Sequence, residues 1–269
     1  MTLFLEKSHI LWLAWCRVAC ARCCLSLIIF LLCLLLSSVT TMPKILLVVS
    51  SAKMMGEKET GYWLEEAAAP YCIFSDAGFE VDIASPQGGT PPCDPGSKAD
   101  NFLTDHTRRF DADAAAQAKM AATTKLSEVD TSAYSAVFFA GGHGTCVDFS
   151  NNPDVNGAME KVYGAGGVIS AVCHGPTAFV GAKAADGTTA LVSGKKMTGF
   201  TDAEEAQVGL TDKVPFLLEA KLIELGADFS KLDPWNPHAV VDGRVVTGQN
   251  PMSSELTAQK VVEVLKASA

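Results

Sequence analysis

The chain has 269 residues, 48% of them hydrophobic and 19% charged, which is enough apolar material for a sizeable buried core. This length allows one large α/β domain or two small ones. The net charge of -9 argues against nucleic acid and against anionic membrane surfaces as partners of the folded part, because both are negatively charged themselves.

Residues 1–41 differ in composition from the rest of the chain. They hold five of the nine cysteines, and their basic residues outnumber the single acid Glu6. An uncharged apolar run at 25–39 follows a basic flank, which is typical of a signal peptide or a signal anchor. Alternatively, the extension reflects an unused upstream start codon, because Met42 directly precedes a strand typical of a cytosolic domain.

The sequence therefore predicts a hydrophobic extension at 1–41 and a folded domain at 42–269. We expect a cytoplasmic protein if translation starts at Met42. Otherwise, we expect one in the secretory pathway or anchored in a membrane through residues 25–39. The cysteines of the folded domain are irregularly spaced, so we expect free thiols rather than a disulfide framework or a zinc site.

From Met42 onward, strand-like and helix-like segments alternate, which predicts a mostly parallel sheet with helices on both faces. Strands are predicted at 45–50, 79–85, 136–140, 167–172 and 197–199, and as a hairpin at 239–241 and 244–247. Helices are predicted at 60–77, 111–122, 154–164, from 174 to about 184, at 214–225 and at 253–266. The turn-rich stretch 86–100 is either a wall or lid of a site or a decoration.

The most informative stretch is residues 171–176, with the sequence AVCHGP at the end of a buried strand. A strand that stops at a cysteine and turns through His-Gly-Pro is typical of a nucleophile elbow. A helix starting there would direct its N–H groups and positive dipole end at the Cys173 sulfur and favour the reactive thiolate. The competing interpretation is a buried core cysteine, which has no need of this turn.

Other residues are candidates for a site around Cys173. His174 is either an acid/base group or a residue that caps the following helix. Glu66 lies on the helix after the first strand, where it would be either partly desolvated in the site or an ordinary surface residue. Gly-Gly-His-Gly at 141–144 ends a strand and would let backbone N–H groups approach a ligand, although such turns are common.

Other patterns argue against a metal or a nucleotide cofactor. His106, His143 and His238 lack the spacing of zinc ligands, so we interpret them as structural or exposed residues. No Walker motif and no dinucleotide-binding glycine pattern occurs in the sequence. The acidic pair Glu204 and Glu205 would be able to orient the His174 ring, but nothing local requires it.

Together, four motifs resemble those of the ThiJ/PfpI superfamily, which has the class I glutamine amidotransferase-like fold. They are the AVCHGP elbow, the AGGHG turn at 140–144, TGYWLEE at 60–66 and VTGQNP at 246–251. The chain is most similar to the heat-shock-type branch of glutathione-independent glyoxalase III. The resemblance extends from about residue 43 to residue 265 and does not include 1–41.

This resemblance implies a flavodoxin-like fold, a homodimer, and conversion of the small dicarbonyl methylglyoxal to D-lactate without cofactor or metal. It implies that Cys173 is the nucleophile, His174 the acid/base group and Glu66 the partner of the thiol. Glu205 would complete the triad, with Glu204 as the alternative, and the backbone N–H groups of Gly142 and His174 would form an oxyanion hole.

Other functions remain open at this stage. Members of the superfamily also act as protein deglycases, holdase chaperones or oxidation sensors, and a cysteine peptidase would use similar groups. A glutaminase is disfavoured, because such enzymes take their histidine from a late His-x-Glu pair, whereas His238 is followed by Ala239 and Val240.

Overall fold

In the computed structural model of the protein, the described residues are 43–268, and they pack around one hydrophobic core. The predicted extension at 1–41, including the signal-peptide, anchor and upstream-start interpretations, lies outside the described residues. Within the described part, no helix combines the length and the apolar composition needed to cross a bilayer.

The strands are, in chain order, β1 (Lys44–Val48), β2 (Met54–Met55), β3 (Lys58–Glu59), β4 (Glu80–Ser85), β5 (Thr124–Lys125), β6 (Ala136–Phe139), β7 (Val168–Val172), β8 (Lys196–Met197), β9 (Asp228–Phe229), β10 (Ala239–Asp242) and β11 (Val245–Gly248). The helices are α1 (Leu64–Asp76), α2 (Asp105–Ala112), α3 (Ala114–Ala121), α4 (Thr145–Asp148), α5 (Pro153–Gly164), α6 (Asp202–Gln207), α7 (Leu218–Glu224) and α8 (Ser254–Ala267).

Seven strands form the central sheet, in the order β10-β11-β7-β6-β1-β4-β5. In the central sheet, β10 and β11 form the antiparallel pair, and their two-residue turn is Gly243-Arg244 rather than the predicted Asp242-Gly243, because Asp242 pairs with Val245. The inner strands β6 and β7 are buried along their whole length, so they are rich in apolar residues rather than alternating in character. The predicted α/β fold with a mostly parallel sheet is confirmed.

The order of the strands places a crevice between β1 and β6. The connection β1-α1-β4 proceeds toward one edge of the sheet, whereas β6-α5-β7 proceeds toward the other. Right-handed crossovers in opposite directions put α1 and α5 on opposite faces. Ligands of open α/β sheets bind at the carboxyl ends of the strands at such a reversal point. The glycine turn after β6 and the cysteine after β7 both lie there.

Several predicted elements have different limits in the structure. The helix expected at 60–77 begins only at Leu64, because Tyr62 makes a β-bridge with Cys93. The helix expected at 111–122 is divided, since the Asp113 side chain accepts hydrogen bonds from the first N–H groups of α3. The strand expected at 197–199 is only the short β8.

The helix expected after Cys173 is the largest error. Residues Gly175–Phe179 form a single 3-10 turn instead of an α-helix that reaches about 184. The Thr177 hydroxyl donates to the His174 carbonyl at 2.8 Å, and Gly181 takes a left-handed φ of 100° that ends the segment. A local side-chain bond of this kind competes with the helical ladder.

Candidate active site

Cys173 lies at the carboxyl end of β7 in a tight and conformationally strained turn. Its φ is 59°, a left-handed conformation that costs a non-glycine residue about 1–3 kcal/mol. The backbone is held on both sides, because the Cys173 N–H donates to Gly248 and its carbonyl accepts from Phe200. Gly175 passes so close to the Phe139 carbonyl that a Cβ there would lie 2.2 Å from its oxygen. This turn has the geometry of a nucleophile elbow.

A hydrogen-bonded chain leads from the Cys173 sulfur to Glu205. The His174 Nδ1 lies 3.4 Å from the sulfur, and the His174 Nε2 lies 2.7 Å from Glu205 Oε2. The other carboxylate oxygen, Oε1, lies 2.9 Å from the Nε2 of His143. The rings of His143 and His174 pack with their centroids 4.0 Å apart. One carboxylate on α6 therefore holds two imidazoles at the floor of the site.

The protonation of this chain follows from burial and hydrogen bonding. Burial lowers the pKa of His174 to about 4, so the ring is neutral near pH 7. Burial alone would raise the pKa of Glu205, but its bonds with His143 and His174 hold it at about 2. An ionised Glu205 only accepts, so both rings donate their Nε2–H to it. The Nδ1 of His174 is then an acceptor that faces the sulfur and can take its proton.

Glu66 contacts the sulfur from the opposite side of the turn. It projects from α1, is fully buried, and accepts a 2.8 Å hydrogen bond from the Gly141 N–H through Oε2. Burial raises its pKa well above the ordinary carboxyl range, while hydrogen bonds with Cys173 and Gly141 counteract part of that rise. A carboxyl group that keeps its proton can donate it as a hydrogen bond to a developing thiolate.

The glycine turn at 141–144 brings bare backbone to the sulfur. Gly142 has a left-handed φ of 97°, and a Cβ on it would lie 2.4 Å from the Gly61 carbonyl oxygen. Among the described residues, neither the Gly142 N–H nor the His174 N–H donates a backbone hydrogen bond. Both residues line a cavity next to Cys173, where their N–H groups have no backbone acceptor.

The structure corrects the expectation that the resting thiol is ionised. Burial raises the pKa of the Cys173 thiol well above its ordinary value, and the Glu66 carboxyl adds to that rise. The expected stabilising helix dipole is missing, because the five residues after His174 form a 3-10 turn. Cys173 therefore keeps its proton near pH 7, and the Nδ1 of His174 is the ring nitrogen that faces its sulfur.

A cavity of about 240 Å³ opens over the sulfur. Its reacting end is formed by Cys173, His174 and His143. The remaining wall is mainly apolar and is formed by Trp63, Phe102, Phe200, Val208, Leu210, Trp235 and Pro251. Asp94 and Gly96 come from the stretch 86–100, so the turn-rich loop forms a wall of the site rather than a decoration.

The structure brings together four of the residues singled out in the sequence. Cys173, His174, Glu66 and Glu205 meet around the sulfur, and the imidazole contacts Glu205 rather than Glu204. His143, interpreted from the sequence as structural or exposed, is buried in the site with a hydrogen bond to Glu205. The sequence signal that would have placed His143 in the site is its position directly after two glycines that follow β6, the strand beside β7.

The same three side chains are the set in the described residues that offers metal-ligand atoms close together. The ligand atoms of His143, His174 and Glu205 lie within 4.8 Å of one another. Those atoms are also the ones engaged in the hydrogen bonds of 2.7 and 2.9 Å. The hydrogen-bonded chain therefore accounts for their arrangement. His106 and His238 lie away from this cluster.

Several known proteins are similar to this chain in sequence. The sequence model of the DJ-1/PfpI family matches residues 57–264. A Candida albicans protein named Glyoxalase 3 is 35% identical over 218 residues, which cover 78% of this chain and 92% of that protein. Glutathione-independent glyoxalase HSP31 from Saccharomyces cerevisiae is 34% identical over 219 residues, which cover 77% and 90% respectively.

Solved structures share the fold closely. The crystal structure of glyoxalase III from Candida albicans has a TM-score of 0.77 at 34% identity and covers 82% of this chain and 97% of that one. The Rapid Encystment Protein REP24 of Francisella tularensis has a TM-score of 0.79 at 38% identity, covering 83% and 99%.

Proposed function

The chain belongs to the DJ-1/PfpI family, and from that membership and the site geometry we propose that it is a glutathione-independent glyoxalase that converts methylglyoxal to D-lactate. The observation that carries the proposal is the thiol of Cys173, aligned with His174 and Glu205 at the floor of a small cavity. A cavity of about 240 Å³ suits a small carbonyl compound rather than a polypeptide.

The first step is addition of Cys173 to the aldehyde carbon. The His174 Nδ1 takes the thiol proton as the C–S bond forms, and ionised Glu205 stabilises the resulting imidazolium. The N–H groups of Gly142 and His174 stabilise the developing oxyanion. Proton return from the imidazolium then gives a neutral hemithioacetal.

The second step moves hydrogen between adjacent carbons. A base removes the proton from the former aldehyde carbon, and a proton is delivered to the former ketone carbon. One carbon is thereby oxidised to a thioester while its neighbour is reduced to an alcohol. Water then cleaves the thioester, releasing lactate and restoring the Cys173 thiol. One methylglyoxal and one water make one lactate, so no external oxidant or reductant is required.

The test is production of D-lactate from methylglyoxal by the purified protein in the absence of glutathione. We expect turnover in the wild-type protein and none in Cys173→Ala, with both proteins showing the same thermal midpoint within a few degrees. Cys146→Ala is the matched control, since Cys146 is also a buried free thiol but lies on α4 outside the cavity lining. Normal turnover by Cys173→Ala would exclude this mechanism.

Two further expectations belong to the same proposal. We propose a homodimer, as the family resemblance implies, and light scattering of the purified protein measures it. We also propose that a protein translated from Met42 is cytoplasmic, whereas one retaining 1–41 enters the secretory pathway or a membrane. Peptide mapping of the native N-terminus distinguishes these cases.

A further inference from the structure

The lining of the cavity has a polar end and an aromatic part. At the reacting end stand the Cys173 thiol and the two imidazoles, while four aromatic rings line the rest. Trp63 packs edge-on against Phe102 with their centroids 4.9 Å apart, and Trp235 packs edge-on against Phe200 at 5.8 Å. Edge-to-face packing of this kind is a favourable aromatic geometry, and it fixes the rings of each pair relative to one another.

Two charged side chains, Asp94 and Lys58, also line the cavity. Asp94 is buried and accepts hydrogen bonds from the Thr60 hydroxyl at 3.1 Å and the Gly96 N–H at 2.8 Å. Lys58 is exposed at the rim. Lys58 at the rim and the buried indole N–H of Trp63 are the unpaired side-chain donors of the described wall, and a carboxylate, phosphate or polyol that reaches neither would lose hydration without gaining a matched partner.

Trp235 is held in place by α6, the helix that also carries Glu205. Its backbone N–H donates to Glu204 Oε1 at 2.9 Å, and its indole N–H donates to Gln207 Oε1 at 2.6 Å. These bonds hold the residue at a φ of 66°, a conformation a tryptophan avoids unless its surroundings impose it.

Glu204 is itself firmly anchored. It is fully buried, and its two oxygens also accept hydrogen bonds from Thr201, Gln249 and Asn250. This second buried carboxylate is not part of the reaction sequence proposed above. It ties the Trp235 wall to the helix that orients the imidazoles, so the wall and the reacting groups keep a constant separation.

We propose that the preferred substrates are 2-oxoaldehydes bearing an aromatic or branched apolar group on the ketone carbon, and that Trp235 is the residue that determines this preference. The inference rests on the proposed glyoxalase function. Methylglyoxal occupies only the reacting end and leaves water against the aromatic wall. An aryl group displaces that water and packs between Trp235 and Trp63. The product is the corresponding aryl hydroxy acid, formed by the same internal redox exchange with one water consumed.

The experiment compares phenylglyoxal with methylglyoxal by kcat and KM, measured by chromatography of the hydroxy-acid products. We expect a KM for phenylglyoxal at least about tenfold lower, since a single added methylene in an apolar pocket already changes discrimination by about tenfold or more. A phenylglyoxal with a ring carboxylate keeps the aryl group and adds a charge, and we expect it to lose that advantage.

Variants test whether Trp235 determines the preference for phenylglyoxal. Trp235→Ala should lower the phenylglyoxal-to-methylglyoxal ratio of kcat/KM by about tenfold, while Trp235→Phe keeps most of it. Gln207→Ala removes only the indole hydrogen bond and should give an intermediate ratio. Thermal unfolding of each variant verifies the fold, and the wild-type KM values test the preference even if a variant does not fold.

The outcomes separate the two proposals. A protein that turns over neither substrate refutes the glyoxalase function itself. A protein that turns over both with equal KM, or whose ratio is unmoved by Trp235→Ala, retains the glyoxalase function and refutes the assigned substrate class.

Discussion

Glu205 offers the most direct test of how the site works, because a single carboxylate holds both imidazoles. In Glu205→Gln, the one amide oxygen can accept the Nε2–H of only one histidine. The amide nitrogen then faces the other ring and forces it into the opposite tautomer. If that ring is His174, its Nδ1 carries a hydrogen and can no longer accept the Cys173 proton.

The expected size of the effect comes from the pKa of Glu205. Its displacement from 4.5 to about 2 corresponds to about 3 kcal/mol in favour of the ionised carboxylate, at about 1.4 kcal/mol per pKa unit. The same interaction stabilises the imidazolium formed during attack. Its loss should therefore lower kcat/KM roughly 100-fold or more.

The same change should affect stability in a pH-dependent way. A carboxyl group whose pKa is lower when folded stabilises the protein fully above its unfolded value near 4.5. That contribution is lost as the pH falls through about 2. The stability difference between wild type and Glu205→Gln should therefore be largest near neutral pH and shrink on acidification.

The assay measures lactate formation at pH 7 together with urea unfolding at several pH values. Asp202→Asn is the matched control, because it removes a charge from the same helix without a hydrogen bond to either histidine. We expect the control to retain activity within about threefold, consistent with a helix-end charge worth less than about 1 kcal/mol. If Glu205→Gln also stays within threefold, the assigned role of the carboxylate is wrong.

Further predictions concern the residues around the sulfur. Gly141→Ala would place a Cβ 2.4 Å from Glu66 Oε2 and should cost about 1–3 kcal/mol in urea unfolding, whereas Gly164→Ala meets no atom within 4 Å and should not destabilise. Glu66→Leu leaves the buried Gly141 N–H without an acceptor and should lower kcat/KM far more than Glu66→Gln does. Equal losses in the two variants would argue against a hydrogen-bonding role for Glu66. The pKa of His174 is lowered to about 4, so the free energy of unfolding of the wild type should fall by up to about 3 kcal/mol between pH 6.5 and 4 relative to His174→Asn. Identical pH dependence of stability in both proteins would refute a buried neutral ring.

Much of the architecture was readable from the chain alone, because it depends on local chemistry. The run at β6 is apolar along its whole length, and those at β1 and β7 are apolar except for Lys44 and Ser170, as expected of strands buried on both faces. The Asp-Gly pair predicted a hairpin, although the two turn residues are Gly243 and Arg244; the left-handed φ of 57° at Gly243 is typical of such a two-residue turn. A cysteine at a strand end before His-Gly-Pro likewise predicted the elbow.

The segment after the elbow was predicted incorrectly because its conformation depends on contacts that the sequence does not display. Thr177 bonds the His174 carbonyl and also reaches Thr145 across the fold, which leaves a 3-10 turn in place of a helix. Burial of the thiol next to Glu66 then raises the Cys173 pKa, the reverse of what a helix end would do.

Residue types and strand periods thus determined the sheet, the hairpin and the turn at Cys173, because each depends on neighbours within a few positions. Only the tertiary structure decided that Glu205 rather than Glu204 meets the imidazoles, that His143 joins them, and that Trp235 closes the wall. These outcomes depend on residues as far as 62 positions apart, as in the His143–Glu205 bond, and on the dielectric environment that packing creates. Neither can be read from a chain in which every side chain is still surrounded by water.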